Sequence, residues 1–206
     1  MGSHGAYLFG YGSLIQEQSR RRTLADAAEV FPARVTGLRR AWNTVCVDVG
    51  LTCTFLGVAA DDGSNTNGVL IPIREGELPE LDRRESGYRR VAIDPSRVEA
   101  LGPLPGALDR VEVYEAIAEQ PPTPERPIIQ SYVDICLAGC LEVGKSLGVG
   151  AAFAEEFLAT THGWSGEWVN DRLFPRAPFR YVPEAYQIDR LLDAHCPAAF
   201  RAMRIE

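Results

Sequence analysis

Two stretches of this chain bring together residue types suited to chemistry. One is E-L-P-E-L-D-R-R-E-S-G-Y, Glu77 to Tyr88, which reads as a short helix ended by Gly87. Leu78 and Leu81 are its apolar residues. Positions three and four apart share a helix face, so the stripe through them continues to Asp82 and Glu85, while Arg83 and Arg84 turn outward or sideways. At least one carboxylate is thus expected on the core-facing side. It could be an ion-paired structural group, with Arg39, Arg40 or Arg89 as partner. Structural carboxylates are the commoner case; the alternative is a general base, because burial disfavours the charged form and raises a carboxylate's pKa towards the range useful for proton transfer.

The other stretch is Y-L-F-G-Y-G-S-L-I, Tyr7 to Ile15, where a strand-like apolar run is broken by Gly10 and Gly12 around Tyr11. Glycine lets another group approach the main chain closely. The stretch is therefore either a tight turn or a loop whose N–H groups face a ligand.

Other chemistries fit less well. Ser13 is not in a nucleophile elbow, since Tyr11 and Ile15 stand where that motif needs glycine. The pair Gly10 and Gly12 lacks the third glycine and the strand–helix–strand setting of a dinucleotide site. The five cysteines form no C-x-x-C pair, and His4, His162 and His195 have no metal-ligand spacing. Reduced, buried thiols and no metal are expected.

The elements that must position these residues begin with a strand at Tyr7–Tyr11 and a short helix or loop over Gln16–Ala28. Strand-like runs follow at Ala33–Trp42, Thr44–Val49, Leu51–Ala59 and Gly68–Ile73. Asp61-Asp62-Gly63-Ser64-Asn65 supplies turn chemistry between the last two. After the Glu77–Ser86 helix come strands at Tyr88–Ile93 and Arg110–Ile117, then a proline-rich connector from Glu119 to Pro127. Helices are expected at Ile128–Gly144, Ala151–Thr160 and Glu184–His195, with Trp164–Pro183 irregular. Strands first and helices later, without regular alternation, predict an α+β fold: a small mixed β-barrel flanked by helices. We expect one domain over residues 5–206, with 145–206 a helical extension.

Composition narrows the partners. Hydrophobic residues make up 46% and charged residues 24% of 206, which suits a folded globule. A net charge of −7 offers no basic footprint for nucleic acid or an anionic membrane. No run approaches the about 18 apolar residues of a membrane span. Cytoplasmic location is the resulting expectation.

Taken in order, F-G-Y-G-S-L (Phe9–Leu14), A-R-V-T-G-L-R-R-A-W (Ala33–Trp42), N-G-V-L (Asn67–Leu70) and L-D-R-R-E-S-G-Y-R-R (Leu81–Arg90) resemble the γ-glutamylcyclotransferase family. The ChaC-like branch with its Y-G-S-L signature is the most similar, over roughly residues 7 to 140. The resemblance implies the barrel fold and an active cavity where the Y-G-S-L loop meets the carboxylate helix. It implies that Glu85 is the catalytic acid/base, that Gly10, Tyr11, Gly12, Ser13 and Leu14 form the loop holding a glutamyl group, and that Tyr132 contacts substrate. For Tyr132 a plain core role on an apolar helix is an equal reading. Asp171 and Arg172, beyond the region of resemblance, are expected as a lid or a structural ion pair. The implied partner is a small γ-glutamyl compound, and the implied reaction needs neither metal nor cofactor.

Overall fold

The computed structural model describes residues 5–24, 29–48, 51–176 and 182–205. The expectations that fall on Ala25–Ala28, on Val49 and on residues 177–181 lie outside the described residues. The chain opens with β1 (Ala6–Gly10), a 3-10 turn at Ser13–Ile15 and α1 (Glu17–Arg21). Two long strands follow, β2 (Phe31–Asp48) and β3 (Leu51–Pro72), then α2 (Leu78–Arg84), β4 (Tyr88–Ile93), β5 (Val98–Ala100) and β6 (Arg110–Ala116). The later part holds β7 (Ile128–Ile129), α3 (Gln130–Ser146), α4 (Ala152–Thr160), β8 (Thr161–His162), β9 (Trp168–Asn170), α5 (Ala185–His195), α6 (Pro197–Arg201) and β10 (Arg204–Ile205). The fold is α+β: a large mixed sheet with helices packed against it.

β3 organises the sheet. Along one edge it pairs antiparallel with β2 over nearly its whole length. Its other edge takes β7 near Thr54 and β1 at Val69–Pro72. β1 is central, since it also pairs in parallel with β6, which in turn carries β4. That placement explains why Tyr7, Leu8 and Phe9 are all buried, without the alternation of a half-exposed strand.

Two expected strand boundaries are not boundaries. Asp61-Asp62-Gly63-Ser64 does turn, with Asp61 Oδ1 accepting from Gly63 N (3.1 Å) and Oδ2 from Ser64 Oγ (2.9 Å). The turn is a wide bulge inside β3: opposite it β2 spends only Gly37, between the pairs Thr36–Asn65 and Leu38–Ala60. A second shift at Asn43 joins the two runs expected on either side of it into the single strand β2. Bulges bend a long strand without ending its pairing.

α3 starts two residues later than its apolar pattern suggests, because Ile128 and Ile129 pair with Trp168 and Val169 of β9. The segment from 145 onwards is not purely helical. β8 pairs with β2 and β9 with β7, so short strands stitch it to the sheet. Trp42 and Trp168 are among the largest fully buried side chains of the core. Burying an aromatic or aliphatic side chain of such size stabilises the fold by about 1.5–3 kcal/mol each.

Candidate functional site

At the C-terminal end of β1 the chain leaves the sheet through Tyr11 and Gly12 and closes a 3-10 turn. Ile15 N donates to Gly12 O (3.0 Å) and Gln16 N to Ser13 O (3.3 Å). The N–H groups of Gly12, Ser13 and Leu14 precede the first of these bonds and donate to no group among the described residues. Buried cations hold the loop from behind through its carbonyls. Arg20, 2% exposed, donates to the carbonyls of Leu14 (3.0 Å) and Ile15. Arg40, fully buried, donates to Tyr11 O (3.3 Å) and Asn67 O (2.7 Å).

The loop from Phe9 to Leu14 walls a cavity of about 30 Å³ together with Leu56, Glu85 and tyrosines 88, 114 and 132. Glu85 is the one ionisable carboxylate in its wall. The residue is the C-cap of α2, its N–H donating to Leu81 O (2.9 Å), and its side chain is 17% exposed. Burial pushes its pKa up, while the Arg84 guanidinium at 3.2 Å pulls the other way. Arg84 is thus the ion-pair partner, rather than Arg39, Arg40 or Arg89. It is itself held by Ser19 O (3.1 Å) and Thr23 Oγ1 (2.8 Å).

Asp82, expected on the same inward face, is exposed and lies outside the cavity. Its carboxylate accepts from Arg90 Nε (2.9 Å) and from the Tyr114 hydroxyl (2.7 Å). Strand-borne donors at the side of α2 decide this orientation over helix periodicity. Asp171 and Arg172 do not pair with each other. Asp171 accepts from Ser131 N (2.8 Å) and Oγ (2.6 Å), and Arg172 bonds both Asp134 and Asp189.

The remaining predicted residues meet here too. Tyr11 is 8% exposed and donates its hydroxyl to Tyr114 O (2.6 Å). Tyr132, on the first turn of α3, stacks on Phe55 (centroids 4.1 Å, planes 6° apart) and meets Trp42 edge-on at 5.9 Å. Burial raises the pKa of both tyrosines, so each stays a neutral hydroxyl at physiological pH. The structure therefore gathers Glu85, Gly10 to Leu14 and Tyr132 around one cavity.

Sequence reasoning missed Tyr88 and Tyr114. Tyr88 had a usable signal: it follows Glu85 by three residues, and its N–H donates to Glu85 O (2.9 Å), which folds it back to the cavity. Its hydroxyl then donates to Leu56 O (2.8 Å). Tyr114 carries no local signal and arrives through the β1–β6 pairing. Among the described residues no three His, Cys, Asp or Glu side chains come together as metal ligands would. His162 is exposed and does not line the cavity, so Ser13 has no imidazole beside it there. Among the described residues no helix is long and apolar enough to cross a membrane.

Such a cavity can bind a carboxylate or a developing oxyanion on the N–H groups and move a proton through Glu85. Comparison with known proteins gives a family and a fold. The family model described as gamma-glutamyl cyclotransferase, AIG2-like, matches residues 8–131. A solved gamma-glutamyl cyclotransferase superposes with a TM-score of 0.57 at 16% identity, covering 91% of this chain and 98% of the other. A human protein described as uncharacterized gives 0.57 at 17% identity, with coverages of 91% and 97%. YkqA from Bacillus subtilis gives 0.51 at 18% identity, with coverages of 70% and 55%. At such identities the structural matches speak to the fold alone. No curated protein matches the chain.

Proposed function

Because the chain belongs to the gamma-glutamyl cyclotransferase, AIG2-like family, we propose that it converts a γ-glutamyl peptide, amino acid or amine into 5-oxoproline and releases the amine. The observation that carries this reading is the shared cavity: Glu85, a carboxylate of raised proton affinity, lines it together with Gly12, Ser13 and Leu14, whose N–H groups make no hydrogen bond among the described residues. The Y-G-S-L residues Tyr11 to Leu14 favour a ChaC-like placement within the family.

The reaction is intramolecular. The substrate's α-ammonium gives a proton to the Glu85 carboxylate, and the freed amine attacks the γ-carbonyl carbon of its own chain. A carbon–nitrogen bond forms in the five-membered lactam as the original γ-amide bond breaks; Glu85 returns its proton to the leaving nitrogen, then takes the second proton shed by the attacking nitrogen and passes it to the released amine, which departs as an ammonium ion. Atoms and charge balance without water. The N–H groups of Gly12, Ser13 and Leu14 hold the substrate carboxylate or the oxyanion that develops on the carbonyl. The protein's main task is to fold the substrate into attack geometry, which can remove much of such a barrier. Tyr132 closes the cavity over Gly12 and is the side chain assigned to substrate contact.

The test is 5-oxoproline release from a panel of γ-glutamyl compounds, followed by mass spectrometry, in the wild type and in Glu85→Gln. Acid–base catalysis of this kind contributes about 10²- to 10⁴-fold, so the variant should lose at least about a hundredfold in turnover while remaining folded. Near-normal release by Glu85→Gln overturns the role of Glu85. Free glutamate as product would point to an amide hydrolase, and binding without either product to a non-catalytic protein of the same fold.

A further inference from the structure

Asp82 stands one helical turn before Glu85, on the flank of α2. Its carboxylate receives Arg90 Nε at 2.9 Å and Nη2 at 3.3 Å, from β4, and the Tyr114 hydroxyl at 2.7 Å, from β6. Arg90 is fixed in turn by Glu112 (2.8 Å) on β6. The backbone carbonyl of the same Tyr114 accepts the Tyr11 hydroxyl (2.6 Å). A single strand residue therefore ties down both walls of the cavity: its side chain holds the helix that carries Glu85, and its main chain holds the loop that carries the N–H groups. α2 needs such a tether. It is only seven residues long, and Leu78 and Leu81 are its buried apolar anchors.

We propose that Asp82 is a positioning residue, acting through Tyr114 to set Glu85 against the Gly12–Leu14 loop; this rests on the cyclotransferase reading of the site. Asp82 touches no substrate. Its carboxylate determines how far α2 sits from β6, and hence how deeply the Glu85 side chain is withdrawn from water. Acceptance from a neutral hydroxyl needs only an oxygen lone pair, so the tether should survive loss of the charge, whereas loss of the acceptor should break it.

The groups facing Glu85 are Arg84 on its own helix, Tyr11 from the loop, Tyr88 from β4, Tyr114 from β6 and Tyr132 from α3. Burial raises the pKa of Tyr11, Tyr114 and Tyr132, so these three stay neutral and Arg84 supplies the formal positive charge beside Glu85. A change in how Glu85 titrates then reports a change in its depth or in its distance from Arg84.

The experiment is a carbon-13 NMR titration of the Glu85 carboxyl, assigned by its loss in Glu85→Gln, in the wild type, Asp82→Ala, Asp82→Asn and Tyr114→Phe. Asp82 is surface-exposed, so its variants should fold. In Asp82→Ala and Tyr114→Phe the Glu85 titration should move down towards the ordinary carboxylate range. In Asp82→Asn, which keeps an acceptor oxygen for Tyr114, it should stay near the wild type. An unchanged titration in Asp82→Ala and Tyr114→Phe overturns the inference. So does an Asn variant that shifts as far as the Ala variant, since that would be the field of a lost charge. Turnover is read in parallel: kcat should fall about tenfold or more in Asp82→Ala, with KM less affected, as expected for a misplaced acid–base group. The titration needs no substrate, so a protein that releases no 5-oxoproline would defeat the functional reading while the tether was still judged by NMR.

Discussion

The Tyr132 hydroxyl lies 3.0 Å from where a β-carbon on Gly12 would stand. The space between the hydroxyl and the loop therefore takes no extra carbon unless one of them gives way. Tyr132 cannot simply swing aside, because its ring is clamped between Phe55 and Trp42. Gly12→Ala should displace the loop instead. Overpacking of one carbon in a tight site costs about 1–3 kcal/mol, a loss of roughly 2–4 °C in melting temperature per kcal/mol at this chain length. The larger consequence should be in KM for a γ-glutamyl substrate, because the N–H groups move with the loop. An unchanged KM would mean that those N–H groups do not hold substrate.

Glu85 and Arg84 give the pH dependence. Burial raises the Glu85 pKa and Arg84 restrains the rise. As general base Glu85 must be ionised, so kcat/KM should fall on the acid side, with its limb above the usual carboxylate range. Arg84→Gln removes the restraint, and the limb should move to higher pH. The same shift acts on stability. A carboxylate whose folded pKa is raised favours folding below its unfolded pKa, and that advantage is lost as pH rises through the folded pKa. Glu85→Gln should therefore melt at or above the wild-type temperature near neutrality, with the gap in its favour shrinking in acid. A variant that melts well below the wild type at neutral pH would contradict the burial argument.

Which parts of this site could be read before the fold was known follows from how local their causes are. Gly10, Gly12 and Glu85 announce themselves because a glycine in an apolar run and an inward carboxylate are anomalies within a few residues. Asp82 misled for the same reason: helix periodicity aligns it with Leu78 and Leu81, but the donors that turn it sideways, Tyr114 and Arg90, come from strands. β8, β9 and β10 are two or three residues long and exist through their pairing with β2, β7 and β9, so they leave no local periodicity to find. Arg40 was seen only as a candidate partner for the carboxylate. Its burial is set by Asn67, Phe157, Thr160 and Thr161, which lie between 27 and 121 residues away.

Arg40 makes the sharpest stability prediction. Desolvation lowers its pKa to about 10, yet its guanidinium is satisfied: Nε donates to Thr161 Oγ1 (2.7 Å), and its two Nη groups donate to three carbonyls, an amide oxygen and the Thr160 hydroxyl. It also lies over the Phe157 ring, 3.7 Å from the centroid. Arg40→Met keeps length and apolar contact but removes this donor from the carbonyls of Tyr11 and Asn67, while Phe157 O keeps the Thr161 hydroxyl (2.6 Å). At about 1–3 kcal/mol for each buried group left unpaired, the loss should reach several kcal/mol. Chemical denaturation would show it, and because Tyr11 O belongs to the active loop, turnover should fall before the fold does. Wild-type stability in Arg40→Met would mean that these acceptors find other donors.

Asp171 and Arg172 lie beyond residues 8–131, which the family model matches. Asp171, 2% exposed, accepts from Ser131 N and Oγ at the start of α3 and from Arg176 N (2.8 Å). It caps the helix from outside, one residue before Tyr132. Beside it Arg172 bridges the buried Asp134 of α3 to Asp189 of α5. From the same segment Trp164 meets Trp42 at 5.1 Å, and Trp42 meets Tyr132. The C-terminal segment thus grips the first turn of α3 by a cap and by an aromatic edge. Loss of a capping side chain costs about 0.5–2 kcal/mol, so Asp171→Ala should lower the melting temperature by a few degrees. If the cap also orients Tyr132, then Asp171→Ala and Tyr132→Phe should raise KM by less together than the product of their separate effects, because both act on one contact. Strict multiplication in KM would make Asp171 a stabilising cap with no hold on the site.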